Sequence, residues 1–377
     1  MISAAVSPQP PAAPLAALPL PWPDLQREAQ FQAWLGPVVA MHGLDPATLR
    51  MASADASFRR YFRLQRAEGG SCIIMDAPPD KENCRPFVQV AQLMQAAGVR
   101  VPQVLDWNET HGFMLLTDLG EQTLLSALDA AQPAAALPYF KDATAALQDW
   151  QRASRPAVLP DYDAALLQRE LQLFPDWYLA QHKGVALDDA QRTMLAQTFA
   201  QIIERNLAAP CVFVHRDFMP RNLMLPRGGF EPGDPARRLG VLDFQDAVYG
   251  PITYDMASLL RDAFLSWDEE MVLDVTIRYW EQARKAGLLD FDGWSDDFGA
   301  FYRAVDWMAL QRHLKVAGIF ARLTLRDGKP SYLADAPRFI HYIRSTALRY
   351  RELTPLLRLI DKVEGWQAAS GYAYGRA

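Results

Sequence analysis

The 377-residue chain is 50% hydrophobic and 22% charged, with a formal net charge of −6 and an isoelectric point near 5.6. Those values describe a globular protein long enough for two lobes with cores of their own, and they argue against a general nucleic-acid binder. No apolar run approaches the roughly 18 residues that a bilayer span needs. The three scattered cysteines, Cys72, Cys84 and Cys211, lack metal-ligand spacing and read as reduced core thiols of a cytoplasmic protein.

Residues 1–22 are apolar but repeatedly interrupted by proline, and they lack the basic start of a secretory signal. They are expected to form an extended, poorly ordered arm outside the fold. From 23 to 43 the spacing of Leu25, Phe31, Leu35, Val38 and Val39 predicts an amphipathic helix. Three β-type runs follow at 49–52, 58–64 and 72–75, the last two joined by a turn at Glu68-Gly69-Gly70. A helix is expected over 85–97, with Phe87, Val90, Leu93 and Met94 on one face, and strands at 104–107 and 113–116 flank a turn. After Thr117-Asp118-Leu119-Gly120 the pattern turns helical over 124–128, 134–152, 164–182 and 188–206. A β-rich stretch interrupts it at 211–244, and helices resume from 254 to 362. The expected class is α+β, with a small β-rich N-lobe (23–118), a larger, mainly helical C-lobe (119–365) and a tail (366–377). That bilobal layout resembles the protein-kinase-like fold.

The chemistry concentrates in VFVHRDFMPRNLML, residues 212–225, and RLGVLDFQDAVYGP, residues 238–251. An apolar strand delivers His215 and Asp217, and Asn222 follows five residues later. A second β-run ends in Asp243, 21 residues beyond Asn222. This order matches the HxDxxxxN catalytic loop and later metal-binding aspartate of kinase-like phosphotransferases. Phosphoryl transfer needs a carboxylate beside the attacking hydroxyl, the role that Asp217 fits as catalytic base. It also needs hard oxygen ligands for Mg2+, which Asn222 and Asp243 supply beside ATP. His215 fits a structural role behind the loop.

Together these stretches resemble the aminoglycoside phosphotransferase and choline kinase group, and PITYDMASLLRDAF (251–264) adds to the likeness. The resemblance implies that Asp255 braces the catalytic loop. Six stretches resemble more narrowly the bacterial anomeric kinases of cell-wall recycling, which act on N-acetylmuramate and N-acetylglucosamine: ASFRRYFRL (56–64), IIMDAPPDKENCRPFVQV (73–90), LFPDWYL (173–179), HRDFMPRNLM (215–224), LDFQDAVYGPITYD (242–255) and DWMALQRHLKVAGIFARL (306–323). The likeness implies an ATP- and Mg2+-dependent sugar 1-kinase, monomeric, with no nucleic-acid or membrane partner. The other readings weighed are a kinase of an aminoglycoside, choline or amino alcohol, and a non-catalytic pseudokinase module.

The sequence departs from the general kinase pattern in three places. The expected phosphate loop, ASADASFRRYF, contains no glycine; the third strand, CIIMD, contains no lysine; and the next helix lacks its usual glutamate. The cation that faces the phosphates is therefore unassigned, with Arg59, Arg60, Arg63 and Lys81 as candidates. Ser57, Arg59, Arg60, Thr117 and Leu119 are the nucleotide-side candidates. On the acceptor side Trp177, Trp307, Gln311, Arg312 and Lys315 combine aromatic faces with polar reach. Residues 301–350 hold nine Arg or Lys against three Asp. If some of these cations face the cleft, the acceptor is neutral or anionic, and Arg312 is suited to grip the lactyl carboxylate of N-acetylmuramate.

Overall fold

The computed structural model describes residues 22, 24–54, 58–234 and 237–366; Ser57 lies outside them. Helix α1 (Leu25–His42) begins where the Asp24 carboxylate accepts from the Arg27 backbone N–H, and it ends at Gly43 in the left-handed conformation. Strands β1 (Leu44–Ala54), β2 (Arg60–Arg66) and β3 (Ser71–Asp76) follow. Helix α2 (Arg85–Ala96) and strands β4 (Val104–Asn108) and β5 (Phe113–Thr117) come next. The five strands form one antiparallel sheet in the order β1-β2-β3-β5-β4.

Alternation puts Phe62 and Leu64, Cys72 and Ile74, and Phe113 and Leu115 on one face, all fully buried under Phe31, Trp34, Leu35 and Val38 of α1. Full burial of each large side chain contributes roughly 1.5–3 kcal/mol. Trp22, within the stretch expected to be a free arm, instead packs on Phe31 at 4.8 Å and beneath the Arg60 guanidinium at 4.4 Å.

The described chain divides into two compact units. One runs to Arg85 and adds Gln103–Asp118; the other comprises Pro86–Pro102 and the residues from Leu119 onward. Residues 86–102, grouped by sequence with 23–118, thus join the second unit. There Phe87 packs on Phe244 at 4.9 Å, and the Arg100 carbonyl accepts from the Val241 N–H at 2.8 Å.

The second unit is mainly helical. It contains α3 (Pro133–Arg152), α4 (Ala164–Leu173) and α5 (Asp189–Leu207), then the short strands β6 (Cys211–Val214), β7 (Leu223–Met224), β8 (Gly240–Val241) and β9 (Val248–Pro251). Helices α6 (Tyr254–Leu260), α7 (Glu269–Lys285), α8 (Phe298–Leu325), α9 (Ser331–Ala334), α10 (Ala336–Arg349) and α11 (Thr354–Glu364) complete it. Strand β6 pairs with β9, and β7 with β8, both antiparallel. The single helix expected over 164–182 breaks after Leu173 into the wider π turns of Phe174–His182. Pro175 has no N–H to continue the α ladder.

The central helix α8 crosses the end of α4 at Gly318, where a Cβ would lie 2.3 Å from the Leu173 carbonyl oxygen. Only glycine allows that approach, which sets α8 against α4 at the height of the site described below. Cys72 and Cys84 are buried as expected of core thiols, whereas Cys211 at the start of β6 is exposed. Among the described residues no helix is long and apolar enough to cross a membrane.

Candidate active site

Strand β6 ends at Val214, and the chain turns through His215, Arg216 and Asp217. Arg216 sits at φ 78°, a left-handed conformation that side chains other than glycine rarely adopt. The buried Asp255, in the first turn of α6, holds that turn: its two carboxylate oxygens accept from the His215 N–H at 2.7 Å and the Arg216 N–H at 3.0 Å. Burial pushes the Asp255 carboxyl up to about 7, while the two backbone donors pull against the rise.

His215 is fully buried. Its Nδ1 accepts from the Asp217 N–H at 3.2 Å, so its Nε2 carries the proton and donates to the Leu242 carbonyl at 3.0 Å. Burial holds the ring near a pKa of 4, so it is a neutral brace between the loop and the segment leading to Asp243.

Asn222 closes the loop from the other side. Its side-chain N–H groups donate to the Asp217 carbonyl at 2.9 Å and to Asp243 Oδ2 at 3.3 Å. With its nitrogen engaged on both neighbours, the amide keeps its oxygen as the group to offer a cation. Asp243 is exposed and adopts φ 64°, and its Oδ1 accepts from Gln245 at 2.9 Å. One amide oxygen and one carboxylate are the sparse, hard donor set that Mg2+ takes when phosphate and water oxygens complete its shell. Among the described residues no three His, Cys, Asp or Glu side chains form a closed metal cage.

Asp217 itself retains 38% of its side-chain exposure. Burial would raise its carboxyl, but Arg312, then Lys315, Arg216 and His215, outweigh that effect and hold it below the usual carboxylate range. Arg312 Nη2 lies 3.6 Å from Asp217 Oδ1. Lys315, one turn further along α8, pairs with Glu170 at 3.1 Å and donates to the Tyr254 hydroxyl at 3.0 Å.

Glu170 on α4 gathers this side of the site. It accepts from Arg216 at 2.6 Å, from Gln311 at 3.0 Å and from the Tyr162 hydroxyl. Burial opposes its charge, yet Lys315 and Arg216 bring its carboxyl down to about 2. Glu170, Gln245 and Tyr254 were not singled out from the sequence. For Glu170 a signal existed: it shares a face with Leu167 and Leu171, and an acid on an apolar stripe needs a partner.

The phosphotransferase enzyme family model matches residues 48–292. The chain belongs to that family. An N-acetylmuramate/N-acetylglucosamine kinase of Neisseria meningitidis is 47% identical over 342 residues, covering 90% of this chain and 97% of the relative. One of Pseudomonas aeruginosa with the same name is 49% identical over 315 residues, covering 84% and 88%. An ethanolamine kinase of Plasmodium vivax shares the fold, with a TM-score of 0.55 at 10% identity over 83% of this chain and 85% of that one. The kinase-like α+β class expected from the sequence is therefore the fold of this phosphotransferase.

The remaining sequence candidates are placed as follows. Trp307 is fully buried in the helical core, 5.9 Å from the Tyr350 ring and beneath the Arg205 guanidinium, so it offers no face to an acceptor. Gln311 and Lys315 do share a face of α8, but both spend it on Glu170. Trp177, half-buried on the π turns, packs against the helical core.

Of the basic run at 301–350, Arg312 lies 3.6 Å from Asp217 and Lys315 pairs with Glu170; Arg349 pairs with Asp306, Arg344 with Asp361 and Arg326 with Asp327. In the first unit Arg59 pairs with Glu82 at 2.9 Å, Arg60 with Asp76, and Arg63 with Asp118 at 2.6 Å. Lys81 is half-exposed beside Asp80 at 3.7 Å. The Thr117 hydroxyl accepts from the Gln103 N–H at 2.9 Å, and Leu119 packs over Gly240.

Proposed function

We propose that this phosphotransferase is an ATP- and Mg2+-dependent cytoplasmic kinase that phosphorylates the anomeric hydroxyl of N-acetylmuramate and N-acetylglucosamine to their 1-phosphates, in recycling of cell-wall sugars. An identity of 47% along 90% of the chain with a kinase named for those two sugars carries the reading. The loop geometry supports it independently. Asp217 is half-exposed and held ionised, ready to accept the hydroxyl proton and orient the oxygen that attacks. Asn222 and Asp243 are assigned to Mg2+, which when bound offsets charge on the phosphate oxygens.

Asp255 and His215 act through Asp217 by fixing the turn that carries it. The cations Arg312, Lys315 and Arg216 around that carboxylate disfavour a cationic acceptor such as choline or an aminoglycoside, because like charges repel. Incubation with ATP, Mg2+ and each sugar, read by phosphorus NMR, tests the reading. A sugar 1-phosphate from both sugars is expected, abolished in Asp217→Asn. Absence of product, or phosphate on a different hydroxyl, overturns it.

A further inference from the structure

Resting on the kinase reading, we propose that Arg312 is the fixed cation of the transfer step, its guanidinium facing the phosphoryl group in flight while Asp217 holds the acceptor hydroxyl. Strand β3, Ser71–Asp76, carries no lysine. The three arginines nearest it in sequence are committed to carboxylates: Arg59 to Glu82, Arg60 to Asp76 and Arg63 to Asp118. Of the four sequence candidates that leaves Lys81, a half-exposed side chain 3.7 Å from Asp80 and not a fixed cation.

Arg312 is 3% exposed, and among the described residues none of its N–H groups reaches an oxygen within hydrogen-bond distance. Nη2 lies 4.0 Å from the Met219 sulfur and 3.6 Å from Asp217 Oδ1, while Nη1 has no hydrogen-bond partner among the described residues. A buried guanidinium is expensive unless its donors are used. Its neighbours show the contrast, since Lys315 donates to Tyr254 and is ion-paired with Glu170, and Arg216 donates to Glu170.

The ligand that answers this deficit is an anion with several oxygens, placed within one group's width of the Asp217 carboxylate. That is where the reacting phosphoryl must lie when Asp217 holds the hydroxyl. In the step, the acceptor oxygen forms its bond to the γ-phosphorus as the bond to the β,γ-bridging oxygen breaks. The hydroxyl proton passes to Asp217, ADP leaves, and charge is carried on the phosphoryl oxygens that Arg312 faces. Because the relatives are named for both sugars, and only N-acetylmuramate carries a carboxylate, a group this close to the base serves the reaction common to the two.

The test compares wild type, Arg312→Met and Arg312→Lys, with kcat and KM measured for each sugar and MgATP affinity measured by calorimetry. The expected result for Arg312→Met is a fall in kcat of about 10²–10³ on both sugars alike, the range for loss of one preorganised donor. MgATP affinity should stay within about threefold, and Arg312→Lys should recover part of the loss. Unchanged kcat on both sugars overturns the proposal. So does a loss confined to N-acetylmuramate KM, which would make Arg312 a clamp for the lactyl carboxylate. Should the methionine variant not fold, the lysine variant decides, because a kcat equal to wild type there refutes a role that depends on the guanidinium fork. Absence of wild-type turnover would instead refute the kinase reading itself.

Discussion

Glu170→Gln removes one charge from the buried cluster behind Asp217 and keeps its shape. In the native protein Glu170 accepts from Arg216 at 2.6 Å and pairs with Lys315 at 3.1 Å, and its carboxyl is lowered from 4.5 to about 2. At about 1.4 kcal/mol per pH unit, that depression corresponds to roughly 3 kcal/mol of folding stability at neutral pH. Breaking a buried pair from one side typically costs about 3–5 kcal/mol, so two independent routes agree on the size.

The sign follows from linkage. A carboxyl whose folded pKa is depressed contributes stability that is complete above its unfolded value, near 4.5, and is lost as pH falls toward 2. Urea unfolding of wild type and Glu170→Gln should therefore differ by roughly 3 kcal/mol at pH 7, and the difference should shrink between pH 4.5 and pH 2. Because Arg216 adjoins Asp217, kcat should fall as well. A difference below about 1 kcal/mol at pH 7, the size of an exposed pair, would refute the claim that this cluster is held by buried charge.

Asp243→Ala should abolish most of the Mg2+-dependent part of nucleotide binding in calorimetry, and Asn222→Ala a smaller part, because a carboxylate brings full charge to the ion and an amide only a dipole; equal binding with and without Mg2+ in wild type would sink the metal assignment. Gly318→Ala places a Cβ 2.3 Å from the Leu173 carbonyl oxygen and should cost roughly 1–3 kcal/mol by overpacking, seen as a lower melting temperature. A chain starting at Trp22 should melt and turn over like the full chain, whereas one starting at Asp24 should be less stable, since Trp22 packs on Phe31 and Arg60; equal melting of the two would show that this packing contributes nothing.

Periodicity and turn residues carried most of the fold. The helix over 23–43, the β-type runs at 58–64 and 72–75, and the sharp change after Gly120 were all readable, because each reflects local burial along one element. The spacing of His215, Asp217, Asn222 and Asp243 was readable for the same reason: three of the four lie on one short loop, and the fourth follows two residues after strand β8. Long-range pairing was not readable. Nothing in α4 or α8 alone says that Glu170 meets Arg216, Gln311 and Lys315, since that depends on the approach Gly318 permits between the helices. Trp307 misled for a related reason: a tryptophan on a helix with polar neighbours fits a sugar platform or a core equally well, and packing around Tyr350 and Arg205 decides for the core. The π turns after Leu173 followed from one proline whose effect on register depends on the flanking contacts.

The most direct test of the proposed chemistry compares N-acetylmuramate and N-acetylglucosamine with their 1-O-methyl glycosides, measuring ADP release with MgATP. Asp217 is assigned to the anomeric hydroxyl, and the methyl group removes that hydroxyl while leaving every other one in place. Turnover on both free sugars and none on either glycoside is the predicted result. Glycosides phosphorylated as fast as the free sugars would contradict the account and move the reaction to another hydroxyl.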